Sequence, residues 1–189
     1  MTRIIAGIAG SLKLASPAKT TRPTSDRIRE SIFSRLESRD VLEGATVLDL
    51  YAGTGALALE SASRGAKTVR LVERDGKAAA VCVTNLKLVV KALEKEGETL
   101  DGKVVNKSVH AFLETAGELK FDLVFVDPPY EISNDEIVGD LSDLQKHLAS
   151  EATIVVERSS RDAQPEFPVG FELEDTKSYG DTTVYWLSV

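Results

Sequence analysis

Apolar residues fall in two spacings along this chain, and the alternation between them predicts the elements. β-Branched and apolar runs, each broken by at most one charged residue, occur at Val47–Leu50, Thr68–Val72, Phe121–Val126 and Ala152–Val156. Such runs mark strands buried on both faces, as in parallel sheets covered by helices. Between them the spacing becomes helical. Ile28, Ile32, Phe33 and Leu36 form one stripe, with Ser25 or Asp26 as its cap. Further helices are predicted over Ala56–Ser63, over the apolar stretch around Cys82, over Ala111–Leu119 and over Glu136–Leu148. Residues 94–103 read as a charged linker and Lys103–Asn106 as a short third strand. Residues 160–170 read as a loop, and Phe171–Lys177 with Thr182–Val189 as a hairpin turning at Tyr179-Gly180-Asp181. Strands alternating with helices and closed by a hairpin predict a doubly wound α/β domain with a mixed sheet.

The N-terminal forty residues look like an addition to that domain, which divides the chain into an arm (1–40) and a main domain (41–189). The arm opens with TRIIAGIAG and SLKLA, a candidate small hairpin with Gly7 or Gly10 in the turn. Its α-helical stripe leaves Arg27, Arg29, Arg35 and Arg39 largely on the polar side, for solvation or phosphate contact. Arg22 and Arg27, beside the loop–helix junction, are the better phosphate candidates.

Charge sharpens the division. The 189 residues carry a net charge of −7, but residues 1–25 carry +4 with no acid, and residues 41–189 carry −11. A basic arm on an acidic body and a chance fluctuation in a short tail are equally good accounts of this. With 42% hydrophobic residues the composition is that of a folded domain. No run approaches a membrane span, no leader pattern opens the chain, and one cysteine, Cys82, can form neither an internal disulfide nor, alone, a metal site. A cytoplasmic protein without a resident metal is expected.

Two stretches carry candidate chemistry. In LDLYAGTGALALE the strand gives way to Gly53-Thr54-Gly55 and then to a helix start, whose free N–H groups and close-approaching backbone suit a nucleotide-like ligand. The full dinucleotide signature is absent. Glu73 closes the next strand twenty residues on, placed to accept hydrogen bonds from a ribose diol. The second stretch is FDLVFVDPPY. Proline ends the strand near Val126, so Asp127-Pro128-Pro129-Tyr130 forms a stiff loop at the carboxyl edge of the sheet. There Tyr130 can stack on a flat substrate, while Asp127 and the Pro128 carbonyl can accept hydrogen bonds from an exocyclic amine.

These residues resemble S-adenosylmethionine-dependent methyltransferases of nucleic-acid base amines. With RIIAG (3–7), RPTSDRIRESIF (22–33) and GDTTVYWL (180–187), the whole chain resembles the RsmD family. The resemblance implies a Rossmann-like fold with a mixed seven-stranded sheet ending in an antiparallel hairpin. It implies methyl transfer from S-adenosyl-L-methionine to the exocyclic N2 of a guanine in 16S rRNA, in assembled or nearly assembled small ribosomal subunits, by a monomer. Asp127, Pro128, Pro129 and Tyr130 would be the catalytic loop. Asp49, Tyr51, Gly53, Thr54, Gly55, Glu73, Arg74 and Ser108 would serve the cofactor, and Arg3, Lys13, Arg22 and Arg27 the RNA. The chain departs from the family in having Ser108 where an acid often follows the third strand, and in keeping only Lys13 as a base across residues 4–15. A methyltransferase for another DNA or RNA base amine, and a non-catalytic ribosome-assembly protein, are the alternatives. An NAD-dependent oxidoreductase fits less well.

Overall fold

Strands run in the order β3-β2-β1-β4-β5-β7-β6 across one seven-stranded sheet. The computed structural model describes residues 2–16 and 25–189, so Arg22 and Lys19 lie outside the described residues. The strands are β1 (Thr46–Asp49), β2 (Thr68–Val72), β3 (Asp101–Val105), β4 (Phe121–Val126), β5 (Leu148–Ser159), β6 (Glu172–Tyr179) and β7 (Thr182–Ser188). The first five are parallel, and β7 runs antiparallel between β5 and β6. The helices are α1 (Asp26–Ser38), α2 (Ala56–Ser63), α3 (Gly76–Lys95), α4 (Val109–Leu113) and α5 (Asn134–Leu144), followed by a 3-10 turn at Gln145–His147. This is the Rossmann-like methyltransferase architecture, with the mixed sheet and terminal hairpin that the sequence predicts.

Helices cover both faces, and β4 shows how the sequence sorts them. Leu123 and Phe125 join a core beneath α1, α2 and α3, while Val124 and Val126 join a second core beneath α4 and α5. Successive strand residues point to opposite faces, so an unbroken apolar run is what a doubly covered strand requires. No helix among the described residues is long and apolar enough to cross a membrane.

The arm is bound into the first core. Ile4, Ala9, Leu14, Ile32 and Phe33 are buried in the same cluster as Val47, Leu59 and Phe125. The predicted hairpin is present as a tight loop with one antiparallel bridge, Arg3 to Lys13, rather than as two strands. Its turn docks on α2. The amides of Ile5 and Ala6 donate to the buried Glu60 carboxylate at 2.6 and 3.0 Å, and Ala9 N–H donates to Ser63 Oγ at 2.9 Å. Gly7 has φ +79°, and a Cβ there would stand 2.0 Å from the Ser63 carbonyl oxygen, so only glycine allows this approach.

Several expectations are corrected. Arg29 is neither solvated nor free for phosphate: it is 1% exposed, donates to the Arg3 carbonyl at 2.8 Å and to Asp26 at 2.7 Å, and lies 3.9 Å from Glu60. Arg35 and Arg39 pair with Asp175 and Glu174 of β6, and Arg35 also stacks 4.3 Å above the Trp186 ring, fastening α1 to the terminal hairpin. The third strand begins at Asp101, inside the supposed linker, because pairing with Thr68–Val72 of β2 supplies what its own polar residues do not. The fourth helix is only Val109–Leu113, capped by Ser108. The fifth ends at Leu144, and β5 begins at Leu148, well before Ala152.

Candidate active site

The sheet order reverses between β1 and β4, since the chain leaves β1 toward β2 on one side and β4 extends the sheet on the other. Loops diverge at such a switch point and leave a crevice at the carboxyl ends of the strands. Here it is a cleft of about 1160 Å³. Leu50 N–H donates to the Phe125 carbonyl at 3.0 Å, so the loops that leave β1 and β4 start side by side. Of the residues expected at the site, Asp49, Tyr51, Gly53, Thr54, Glu73, Arg74, Ser108 and the whole Asp127–Tyr130 loop line this one cleft. Arg27 also lines it. Arg3 and Lys13 are not among its walls; Arg3 lies 3.8 Å from Asp26.

The loop after β1 is pinned from two sides. Glu73, just past β2, accepts from Gly53 N–H at 2.9 Å and from Asp75 N–H at 2.7 Å. Asn85, fully buried on α3, donates to the Thr54 carbonyl at 2.9 Å. Gly55 is not part of the wall but makes the turn possible. Its φ is +80°, and a Cβ would meet Leu71 Cδ2 at 2.8 Å and Cys82 Sγ at 2.9 Å. Cys82 is packed there as a buried thiol, with its pKa pushed up chiefly by burial.

Asp49 is the electrostatic centre. It is 1% exposed, and its Oδ1 has no hydrogen-bond partner in the protein. Burial raises its pKa from 3.8 to about 7, with the charges of Asp127 and Glu73 adding to the rise against opposing backbone N–H groups of Ala58 and Tyr51. A buried carboxylate oxygen without a partner is costly unless a ligand supplies a cation or donor. Tyr51 donates its hydroxyl to Asp140 on α5; burial and that bond hold the phenol protonated far above its usual range. Ser108 uses its hydroxyl oxygen to cap α4, accepting from Ala111 N–H at 3.3 Å, which leaves its O–H free to donate.

The acceptor side is built on β4. Asp127 is half-buried, Pro128 is buried, and Tyr130 is 61% exposed with its ring open to the cleft mouth. Sequence reasoning missed what holds this loop. Arg158, at the end of β5 and 6% exposed, donates to the Ile132 carbonyl at 2.8 Å, to Asn134 Oδ1 at 3.0 Å and to Asp162 at 3.1 Å. Ile132 N–H in turn donates to the Pro129 carbonyl at 3.1 Å. An arginine closing the apolar run IVVER was the available signal, since a buried strand end rarely carries an unpaired charge.

Fold and site together define an S-adenosylmethionine-dependent methyltransferase of the Rossmann-like class. The residues fit that group: the partnerless Asp49 oxygen matches an ammonium, Glu73 retains acceptor capacity for hydroxyls, and the Gly53–Thr54 backbone, with open space at Gly53, leaves room for close approach. The chain belongs to the family described as Conserved hypothetical protein 95, which matches residues 2–188. It is 36% identical over 179 residues to Ribosomal RNA small subunit methyltransferase D of Escherichia coli (strain K12), covering 94% of this chain and 85% of that protein. The solved structure of the Escherichia coli protein yhhF, 32% identical, superposes with a TM-score of 0.81 over 99% of this chain and 97% of that one. A hypothetical protein of Thermus thermophilus superposes with a TM-score of 0.82 at 27% identity, with both chains covered in full (100% each).

Proposed function

We propose that this protein methylates the exocyclic N2 of a guanine in 16S rRNA, acting in the cytoplasm as a monomer on assembled or nearly assembled small subunits. One observation carries the reading. The Asp127-Pro128-Pro129-Tyr130 loop and residues 49–54 at the end of β1 leave adjacent strands and line the same cleft, so an acceptor amine and the methyl donor would share one space. The name borne by the Escherichia coli relative supports ribosomal RNA of the small subunit as the substrate.

Asp49, the Gly53–Thr54 backbone and Glu73 would hold S-adenosylmethionine, which would supply an electrophilic methyl group. The protein's own part is binding and alignment. Tyr130 offers an exposed ring for a base to stack on. Asp127 and the Pro128 carbonyl accept hydrogen bonds from the amine, which orients the nitrogen lone pair and bears the positive charge that develops on it. The nitrogen then gives up one proton, for which the Asp127 carboxylate is the acceptor that the loop offers. The base must be unpaired or flipped to enter the cleft.

The test is transfer of labelled methyl groups to naked rRNA and to small subunits lacking the modification, followed by nucleoside analysis. N2-methylguanine on subunits is expected; no label in either substrate from folded, cofactor-binding protein refutes the reading, and label on adenine N6 replaces the guanine. Asp127→Ala should lower turnover by about 10² or more while changing cofactor affinity less than about threefold.

A further inference from the structure

Every hydrogen-bonding group of the Asn85 amide is committed to backbone, and the partners belong to two distant parts of the chain. One Nδ2 hydrogen goes to the Thr54 carbonyl at 2.9 Å and the other to the Ala15 carbonyl at 3.0 Å, while Oδ1 accepts from Ala15 N–H at 2.8 Å. The side chain is fully buried. Thr54 lies in the wall of the cleft; Ala15 does not. Holding the Thr54 carbonyl fixes the plane of the Thr54–Gly55 peptide, whose N–H is committed to Ala52 at 2.6 Å. Two peptides earlier, the Ala52–Gly53 unit is held by Glu73 through Gly53 N–H. The same N-terminal segment is fastened to α2, the helix that the loop opens, by Glu60 and Ser63. Segment 2–16 therefore grips both helices that flank the cofactor loop, and Asn85 bridges it to the loop itself.

We propose that Asn85 is a positioning residue for the cofactor loop and couples that loop to the N-terminal segment, so that ordering either one orders the other. Loss of the Ala15 pairing loosens the amide that holds Thr54, and cofactor binding tightens the segment in return. Such coupling is reciprocal by thermodynamic necessity. The proposal rests on the cofactor reading above, which binding of S-adenosylhomocysteine to the wild-type protein checks separately.

Two variants of the full chain test it, with S-adenosylhomocysteine as the probe. Asn85→Asp keeps the shape and the acceptor for Ala15 N–H but has no N–H for either carbonyl; its Kd should rise at least about tenfold. Ala15→Pro removes one N–H outside the cleft; its Kd should rise about threefold to tenfold. In the wild type the ligand should slow hydrogen exchange at the Ala15 amide, and in Asn85→Asp it should not. A folded Ala15→Pro protein that binds within twofold of wild type overturns the proposal, as does an Ala15 amide indifferent to the ligand. If Asn85→Asp fails to fold, those two measurements decide alone. Wild-type protein that does not bind the probe overturns the cofactor reading and this proposal with it.

Discussion

Replacing Asp49 with Asn should make the protein more stable and less able to bind its cofactor. The carboxylate is 1% exposed and its pKa stands at about 7 rather than 3.8. A folded-state value above the unfolded one means that the fold holds the proton more tightly. The associated stability is fully present below about pH 4 and is lost as pH rises through about 7. At ~1.4 kcal/mol per unit the full shift corresponds to ~4 kcal/mol, and relaxation and water entering the cleft reduce this to about 2 kcal/mol. For a chain of this size that is about 4–8 °C in Tm. The neutral amide of the variant carries no charge to desolvate, so its melting temperature at pH 8 should exceed that of wild type by this margin, and the gap should close by pH 4.5. Calorimetry gives the other half. S-adenosylhomocysteine should bind the variant at least about tenfold more weakly at pH 8. Binding to wild type near pH 6 should release a proton, seen as a dependence of the heat on the buffer, because a cationic partner draws Asp49 to its charged form. A variant no more stable than wild type at pH 8, or one that binds the ligand equally well, refutes the assignment of a ligand-awaiting charge to Asp49.

Gly55→Ala should cost about 2–4 kcal/mol in chemical denaturation, because the new Cβ meets Leu71 and Cys82 at under 3.0 Å from a backbone at φ +80°. Arg158→Met should cost about 2–3 kcal/mol and lower kcat several-fold more than it weakens S-adenosylhomocysteine binding, since its bonds to Ile132 and Asn134 frame the acceptor loop and not the cofactor loop. Equal losses in both would place Arg158 in general stability alone.

What could be read from the sequence was what local residues determine. The boundaries of β2 and β4 follow from apolar runs that stop at an acid, and α1 starts where Ser25 can accept from Ile28 N–H. The glycine turn, Glu73 and the Asp127 loop are likewise short motifs whose chemistry lies in neighbouring residues. The misread elements depend on partners far along the chain. β3 is half polar at the outer edge of the sheet and exists through its ladder with β2. Arg29 lies beside the α1 stripe, and its burial follows from Asp26, the Arg3 carbonyl and Glu60, the last of them 31 positions on. Asn85 and Arg158 are in the same position. Each bridges segments 24 to 70 residues apart, a relation that no helical or strand period encodes.

The distribution of charge around the cleft bears on how a chain with a net charge of −7 would meet the proposed nucleic-acid substrate. Asp49, Glu73, Asp127, Glu136, Asp140 and Asp181 all line the cleft. Of the arginines there, Arg29 and Arg158 are buried among partners of their own, which leaves Arg27 and Arg74 exposed. Such a cleft repels phosphate and favours a cationic ligand and a neutral base. Such charge disfavours a phosphate backbone in the interior, and on the proposed function a base turned out of its stack enters at lower electrostatic cost. On the proposed function the RNA backbone meets cations elsewhere, and residues 1–25 carry +4 with no acid. Arg3 lies 3.8 Å from Asp26, so among the described residues Lys13 and Arg27, the latter at the cleft wall, are the stronger candidates for that proposed contact. On the proposed function, the acidity of the cleft suits a cationic cofactor and a neutral base, and phosphate contact is expected outside it.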